Sequence, residues 1–275
     1  MIKRIFRRII TEFSVRLPIK KVHKFESGVI ISLTSYTARL KNLHIVIRSL
    51  LKQKISPEKI ILYLGNDTNE SDIPKKLKKL TRYNFEIRTG YEDLKPHKKY
   101  FFAMQEFPEY KIITVDDDLI YDKNLVYDLL YCSNNYPDCI CARRVNLMTK
   151  NENGILNPYS KWLWEYKNIT EPSHSLIATG CGGVLYPPHC LPEETFNSEL
   201  LKKLCLNTDD IWLKFMELKN NVKILFSNNK IIHPLTLRHT QESGLLKINT
   251  GEESRNDKNI RIMQDYTKIN LADFI

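Results

Sequence analysis

The pattern of apolar and polar positions predicts short buried strands that alternate with amphipathic helices. Segments with the length and composition of buried strands lie at 28–34, 59–64, 84–88, 111–115, 222–226 and 230–232. Segments with apolar residues at helical spacing lie at 39–53, 71–81, 97–106, 123–131, 209–219 and 257–268. Strands and helices in this order build crossover units, so we predict an α/β fold with a mostly parallel sheet flanked by helices.

The composition is that of an ordinary globular protein. The chain has 275 residues, of which 42% are hydrophobic and 27% charged. No repeat or composition break divides it, so residues 25–275 are predicted to form one domain. The six cysteines lack paired metal-site spacing, which favours reduced thiols and a cytoplasmic location.

The positive charge is concentrated at the amino terminus. Residues 1–24, the basic arm, hold eight Lys or Arg and one Glu, so they supply +7 of the net charge of +10. The other residues carry the remaining +3, a nearly balanced surface that argues against nucleic-acid binding. Apolar residues recur at helical spacing within the arm and predict a basic amphipathic helix.

This predicted helix has two interpretations. It suits the surface of an anionic membrane, contacted through residues 1–16, which would place the protein on the inner face of the cytoplasmic membrane. It equally suits a surface helix docked on the rest of the chain. No stretch approaches the roughly 20 apolar residues of a transmembrane helix.

Three consecutive acids, Asp116, Asp117 and Asp118, follow the predicted strand 111–115. Ligands of a parallel sheet collect at the carboxyl ends of its strands, where these side chains are expected. Adjacent carboxylates repel one another, and a hard divalent metal that bridges them to diphosphate oxygens would compensate. The alternative is a solvated acidic loop that caps the following helix.

A second acidic pair, Asp209 and Asp210, opens the predicted helix 209–219. One of them would be its N-cap, and one could serve as a general base that deprotonates a hydroxyl. Three lysines, Lys95, Lys98 and Lys99, lie at the start of the helix 97–106, where they could face a diphosphate or only solvent.

The triplets Thr34-Ser35-Tyr36 and Asp116-Asp117-Asp118, with the later pair Asp209-Asp210, resemble inverting glycosyltransferases of the GT-A fold, close to family 2. The resemblance covers nearly the whole chain after residue 27. It implies a Rossmann-like sheet and the transfer of a sugar from a nucleoside diphosphate sugar, with UDP-sugars favoured. Residues 25–135 would bind the nucleotide and residues 136–275 the acceptor.

The resemblance also implies roles for individual residues. Asp116 or Asp117 would hold the ribose, Asp210 would be the base, and Asp209 would orient the base or the acceptor. A Mn or Mg ion would be held by Asp118, Asp116 and His239. Other donor contacts would come from Thr34, Ser35, Tyr36, Arg39, Asp67, Lys95, Lys98 and Lys99, although Asp67 comes later after its strand than the family's usual acid. Acceptor contacts would come from Trp162, Trp164, Gly182 and Gly183, which could instead be core aromatics and a tight turn.

The implied setting is the assembly of surface polysaccharide on a glycan or lipid-linked acceptor. One alternative is a sugar nucleotidyltransferase, but the early Gly-rich loop typical of those enzymes is absent. Another is a catalytically silent, membrane-recruited nucleotide-binding protein. A P-loop enzyme and a dinucleotide site are disfavoured because neither glycine signature is present.

Overall fold

The computed structural model describes residues 8, 11–19, 24–227, 234–237 and 254–275. Its strands are β1 (Phe25–Thr34), β2 (Ser56–Gly65), β3 (Phe85–Tyr91), β4 (Lys111–Thr114), β5 (Leu119–Ile120), β6 (Ile140–Ala142), β7 (Val145–Leu147), β8 (Leu176–Ala178), β9 (Val184–Tyr186), β10 (Ile224–Phe226) and β11 (Leu235–Thr236). Its helices are α1 (11–16), α2 (Leu40–Leu50), α3 (Lys75–Lys78), α4 (Lys98–Glu106), α5 (Leu125–Asn135), α6 (Ser198–Leu204), α7 (Asp209–Lys219) and α8 (Arg255–Thr267).

The central sheet is mostly parallel and has a topological switch point. Its strand order is β10-β6-β9-β4-β1-β2-β3, and β9 alone among these strands runs antiparallel to its neighbours. The chain moves outward from β1 to β2 and β3, then returns to the other side of β1 as β4. The carboxyl ends of β1 and β4 are therefore adjacent, with Ser32 paired to Thr114, and the segments that follow them leave in different directions.

Helices cover both faces of the sheet because its central strands are apolar on both sides. Successive residues of a strand point to opposite faces, and β1 buries Ile30 and Ile31 completely. Ile31 packs in one cluster with Leu43 of α2, whereas Ile30 packs in another with Ala103 of α4. Burying each such large apolar side chain contributes about 1.5–3 kcal/mol.

The predicted α/β fold with a mostly parallel sheet is confirmed, and two local differences have clear causes. The predicted helix 71–81 is interrupted at Pro74, which supplies no amide hydrogen, so that α3 is a single short turn flanked by 3-10 turns. Strands β6 and β9 were not predicted because three residues are too few to show a period. The predicted strand 230–232 lies outside the described residues.

The described part of the basic arm is docked on the domain. Arg48 of α2 donates from Nε to the carbonyl oxygen of Val15 at 2.8 Å, and Lys52 donates from Nζ to that of Leu17 at 2.7 Å. The side chain of Val15 is buried in the same core cluster as α2. These contacts support the docked-helix interpretation for residues 11–19. Within the described ranges, none of the helices combines the length and apolarity needed to cross a bilayer.

Candidate active site at the ends of strands β1 and β4

A cavity of about 740 Å³ opens at the switch point between β1 and β4. Most of the residues predicted from the sequence to form the site line this one cavity. They are Thr34, Ser35, Tyr36, Arg39, Asp67, Lys95, Lys98, Lys99, Asp116, Asp117, Asp118, Trp164, Asp209 and Asp210. His239 lies outside the described residues.

Asp117 is held from the loop that follows β1. Ser35 donates from Oγ to Asp117 Oδ2 at 2.6 Å, and Arg39 donates from Nη1 to Asp117 Oδ1 at 2.6 Å. Burial raises the pKa of the Asp117 carboxyl, although Arg39 and Ser35 favour its ionised form. Both oxygens of Asp117 are thus engaged, and this carboxylate joins the ends of β1 and β4.

Nearby cations compensate the charge of Asp118 less well than that of Asp117. Burial, followed by the neighbouring Asp116 and Asp117, raises the pKa of Asp118 to about 6. Arg39 Nη1 lies 3.5 Å from Asp118 Oδ2, farther than it lies from Asp117. Asp118 therefore remains a carboxylate at the cavity wall that an additional positive charge would stabilise.

Lys99 bridges the two groups of acids. Its Nζ donates to Asp116 Oδ1 at 2.9 Å and lies 2.8 Å from Asp209 Oδ2, with the side chain only 6% exposed. Burial alone would lower the pKa of Lys99, but Asp116, Asp209 and Asp210 hold it well above the usual value. Lys95 and Lys98 differ, since both pair with Asp93 at another part of the wall.

The two acids that open α7 occupy unequal environments. Burial opposes ionisation of Asp209, but Lys99 outweighs it and lowers the Asp209 pKa. Burial and the adjacent Asp209 raise the pKa of Asp210 to about 8. Asp210 Oδ1 accepts a hydrogen bond from the backbone amide of Gly180 at 3.2 Å. Asp210 is consequently the more basic carboxylate of the pair.

Gly180 allows the two acidic groups to approach each other. A Cβ atom at this position would lie 3.5 Å from both Asp116 Oδ1 and Asp210 Oδ1, and only 2.6 Å from Lys99 Nζ. A side chain here would therefore occupy the space between the acids. The 3-10 turn Gly180–Gly182 thus keeps the acids and their bridging lysine in contact.

His97 supports this arrangement from the start of α4. It is fully buried, its Nε2 lies 3.0 Å from the carbonyl oxygen of Cys205, and its Nδ1 lies 2.8 Å from the hydroxyl of Tyr100. Burial lowers the pKa of His97 to about 4, so the ring is neutral at pH 7. Because a carbonyl can only accept, Nε2 carries the hydrogen and Nδ1 accepts from Tyr100. His97 thus fixes α4 against the segment that leads into Asp209.

The residues predicted to contact an acceptor divide into two groups. Trp164 is 38% exposed and lines the cavity. Trp162 is 2% exposed, and its indole donates to the carbonyl oxygen of Asn157 at 2.9 Å, so it is a core residue. Gly182 and Gly183 are not among the described lining residues, because they pack tightly against Arg144 and Leu125, respectively. Gly183 also has a φ of +92°, which favours glycine.

No protein-family model and no curated protein matches the chain. The crystal structure of GalNAc-T7 with UDP, GalNAc and Mn2+ aligns with a TM-score of 0.51 and 13% identity, over 88% of this chain and 49% of that one. The chain has the GT-A fold. At this identity the likeness is one of fold alone.

Two further solved structures align at lower TM-scores. S. aureus TarS gives 0.44 with 16% identity, over 89% of this chain and 43% of that one. A 4-diphosphocytidyl-2C-methyl-D-erythritol synthase gives 0.46 with 10% identity, over 83% of this chain and 98% of that one. The chain therefore spans less than half the length of TarS and of GalNAc-T7.

The GT-A fold raises the question of whether these acids suit a divalent metal. Among the described residues, no group of three or more His, Cys, Asp and Glu side chains is arranged to hold an ion. Asp118 and Asp116 nevertheless supply carboxylate oxygens at the cavity wall, where burial and the neighbouring acids raise the pKa of Asp118. Mg²⁺ commonly uses one or two carboxylates together with substrate phosphates. The donor set therefore fits a metal ion shared with a diphosphate.

Several lining residues were not identified from the sequence. The part of the wall near Trp164 is completed by Arg144, Asn146, Tyr159 and Asn256. Arg144 Nη2 lies 3.0 Å from Glu165 Oε1, and its Nη1 contacts Cys181 Sγ at 2.6 Å. These residues carry no motif, and they come from separate elements such as β7 for Asn146 and α8 for Asn256. Only Trp164 and the glycine run that begins at Gly180 therefore signalled this part of the wall.

Proposed function

We propose that this chain is a glycosyltransferase that moves a sugar from a nucleoside diphosphate sugar to a hydroxyl of a glycan or lipid-linked acceptor, with inversion. The observation that carries the proposal is the meeting of two acidic groups in one cavity, joined through Lys99. One group lies at the switch point, where nucleotides bind in open α/β sheets. The other contains a carboxylate whose pKa is raised to about 8.

The nucleotide would bind along the β1 side of the cavity. Tyr36 is partly exposed there, and Thr34, Arg39 and Asp67 line the same wall. Ser35 and Arg39 engage both oxygens of Asp117, whereas Lys99 contacts Oδ1 of Asp116, so Oδ2 of Asp116 is the better placed to accept from a ribose hydroxyl. We favour a UDP-sugar, in keeping with the UDP and GalNAc named in the GalNAc-T7 structure.

Asp118 and Asp116 would hold a Mn or Mg ion, and His239 is a further proposed ligand. The ion would supply positive charge to the leaving diphosphate. Lys99 would add a fixed positive charge beside Asp116, in a site where little water offsets it. Lys95 and Lys98 would extend this positive wall, although both are already paired with Asp93.

Asp210 would act as the general base. As the acceptor oxygen attacks the anomeric carbon, its proton would pass to an oxygen of Asp210 while the bond to the diphosphate breaks. A single displacement of this kind inverts the anomeric configuration. Asp209 would keep Lys99 in place and thereby orient the base, since it contacts Lys99 and directly precedes Asp210.

The acceptor would bind near Trp164, whose exposed ring could stack on a sugar. Tyr159 and Asn146 would supply polar contacts at the same part of the wall. The proposed setting is surface polysaccharide assembly in the cytoplasm, at the inner face of the membrane.

The reaction class can be tested by incubating the protein with Mn and a panel of nucleoside diphosphate sugars. Release of nucleoside diphosphate, with transfer to an added glycan, is the expected result, and the Asp210→Asn protein serves as the background. Release of pyrophosphate would instead show nucleotidyl transfer. Absence of both turnover and binding with every donor would identify a silent protein and overturn the proposal.

A further inference from the structure

Four exposed apolar or aromatic side chains lie on the basic arm and on α5, and none of the four lines the cavity. Phe13 and Leu17 come from the basic arm, and Tyr127 and Tyr131 come from α5. Phe13 is 66% exposed and Tyr131 is 64% exposed. The two tyrosines are four residues apart on one helical side, and their rings stack with centroids 6.4 Å apart. Single exposed apolar side chains are common, but a contiguous group of them marks an interaction site.

These residues belong to a continuous surface, as the contacts between their elements show. Lys52 donates from Nζ to the carbonyl oxygens of Ser14 and Leu17, which ties the arm to the end of α2. Two residues on, the Nζ of Lys54 lies 4.9 Å from the centroid of the Tyr127 ring. The backbone amide of Lys54 also donates to the carbonyl oxygen of Lys123 at 2.8 Å.

The charge of this surface is positive. We define the basic-aromatic face as Phe13, Leu17, Lys54, Lys123, Tyr127 and Tyr131. The neighbouring acids are partly offset: Asp122 and Asp128 share the guanidinium of the buried Arg143, and Glu12 pairs with Arg8. Lys54 contacts an aromatic ring, which leaves its charge intact. Within the described part of the basic arm, the exposed Arg16 directly precedes Leu17 and adds a positive charge beside the face.

We infer that the basic-aromatic face binds an anionic lipid bilayer. Tyrosine is favoured at the membrane interface because its ring is apolar and its hydroxyl remains hydrated. Lysines and arginines beside it are attracted by anionic headgroups. The face extends membrane contact beyond residues 1–16 to α5 and to the end of α2, and it does not depend on the proposed reaction.

The test is sedimentation of the full chain with vesicles of phosphatidylcholine alone or mixed with phosphatidylglycerol. We expect binding to the anionic vesicles. Lys54→Gln combined with Lys123→Gln should lower the partition coefficient roughly thirtyfold, because each lysine near an anionic surface contributes about a fivefold factor. Tyr127→Ser combined with Tyr131→Ser should also weaken binding. Lys161→Gln combined with Lys167→Gln changes two exposed lysines elsewhere and should leave binding unchanged.

Three results would overturn the inference. The first is no sedimentation of the unchanged protein with anionic vesicles. The second is equal loss of binding in the face variants and in the Lys161/Lys167 control, which would indicate general charge attraction. The third is a dimer in sedimentation velocity that the Tyr127/Tyr131 variant abolishes, which would assign the face to a second copy of the chain. Thermal melting of each variant verifies that it is folded.

Discussion

The acidic run after β4 and the acidic pair that opens α7 are similar in sequence but differ in their surroundings. In each, one carboxylate is held by a cation, Asp117 by Arg39 and Asp209 by Lys99. In each, the negative charge of the next carboxylate along the chain is compensated less fully by a cation. Burial with neighbouring acids raises the pKa of Asp118 to about 6 and that of Asp210 to about 8. The carboxylate that is paired with a cation positions its loop or helix. The carboxylate that follows it is available for chemistry.

The two available carboxylates suit different tasks. With a pKa of about 6, Asp118 is mostly ionised at neutral pH, as a metal ligand must be. With a pKa of about 8, Asp210 has the proton affinity of an effective general base. In the proposed function, environment rather than the Asp-Asp motif itself separates the metal ligand from the base.

The largest expected effect comes from a substitution in the acidic pair that opens α7. Asp210→Asn should lower kcat by about 10²–10⁴, because the amide cannot accept the acceptor's proton. Donor affinity, measured by calorimetry, should stay largely intact. A variant that keeps full turnover would refute the assignment of the base.

The link between the two acidic groups can be broken at Lys99. Lys99→Met should cost about 3–5 kcal/mol of unfolding free energy, because it leaves Asp116 and Asp209 without their cation. The matched control is Lys98→Met, which removes a buried lysine that is paired with a single acid, Asp93. Chemical denaturation should show a smaller loss for the control. Equal losses would mean that Lys99 has no bridging role.

Gly180→Ala tests the close approach of the two groups. The new Cβ would lie 2.6 Å from Lys99 Nζ, so the flexible end of this lysine must shift relative to its acids. The steric cost is about 1 kcal/mol, the low end for overpacking, and metal-dependent UDP affinity should fall with the shift. Gly154→Ala is the control, since its φ of +75° adds backbone strain but its Cβ meets nothing within 4 Å. Unchanged UDP affinity in Gly180→Ala would contradict the described contact.

The smallest expected effect is the change of kcat/KM and of stability with pH. If Asp210 must be ionised to act, kcat/KM should rise up to tenfold per pH unit and level off near pH 8. The folded pKa exceeds the unfolded pKa of about 4, so protonation of this carboxyl favours folding. Stability should therefore fall as pH rises from about 4 to about 8 and should level off above that. Melting curves of Asp210→Asn should lack this fall. A kcat/KM that falls between pH 6 and pH 8 would argue against a carboxylate base.

The first half of the chain was largely predictable because its signals are local. Strands β1, β2 and β4 are buried runs long enough to show their type, and they place Ser35 and Asp116 at the same edge. The crossover rules then require adjacent loops at that edge. What the pattern could not show is that Arg39 and Ser35 engage Asp117 and so separate it from Asp118.

The second half was less predictable because its contacts are distant in sequence. Trp162 and Trp164 are the same residue type two positions apart, yet one is core and the other lines the cavity. Gly182 and Gly183 were predicted to face an acceptor, whereas they pack against Arg144 and Leu125. The partner of Asp209, Lys99, lies on a helix more than a hundred residues earlier. No local period reports such tertiary neighbours.

The most direct test of the central claim is calorimetric titration of UDP into the protein with and without Mn, for the unchanged chain and the two Asn variants. We predict Mn-dependent binding that Asp118→Asn abolishes and Asp210→Asn retains. Binding that is indifferent to Mn, or that survives in Asp118→Asn at full affinity, would contradict the division of labour between the two acidic groups.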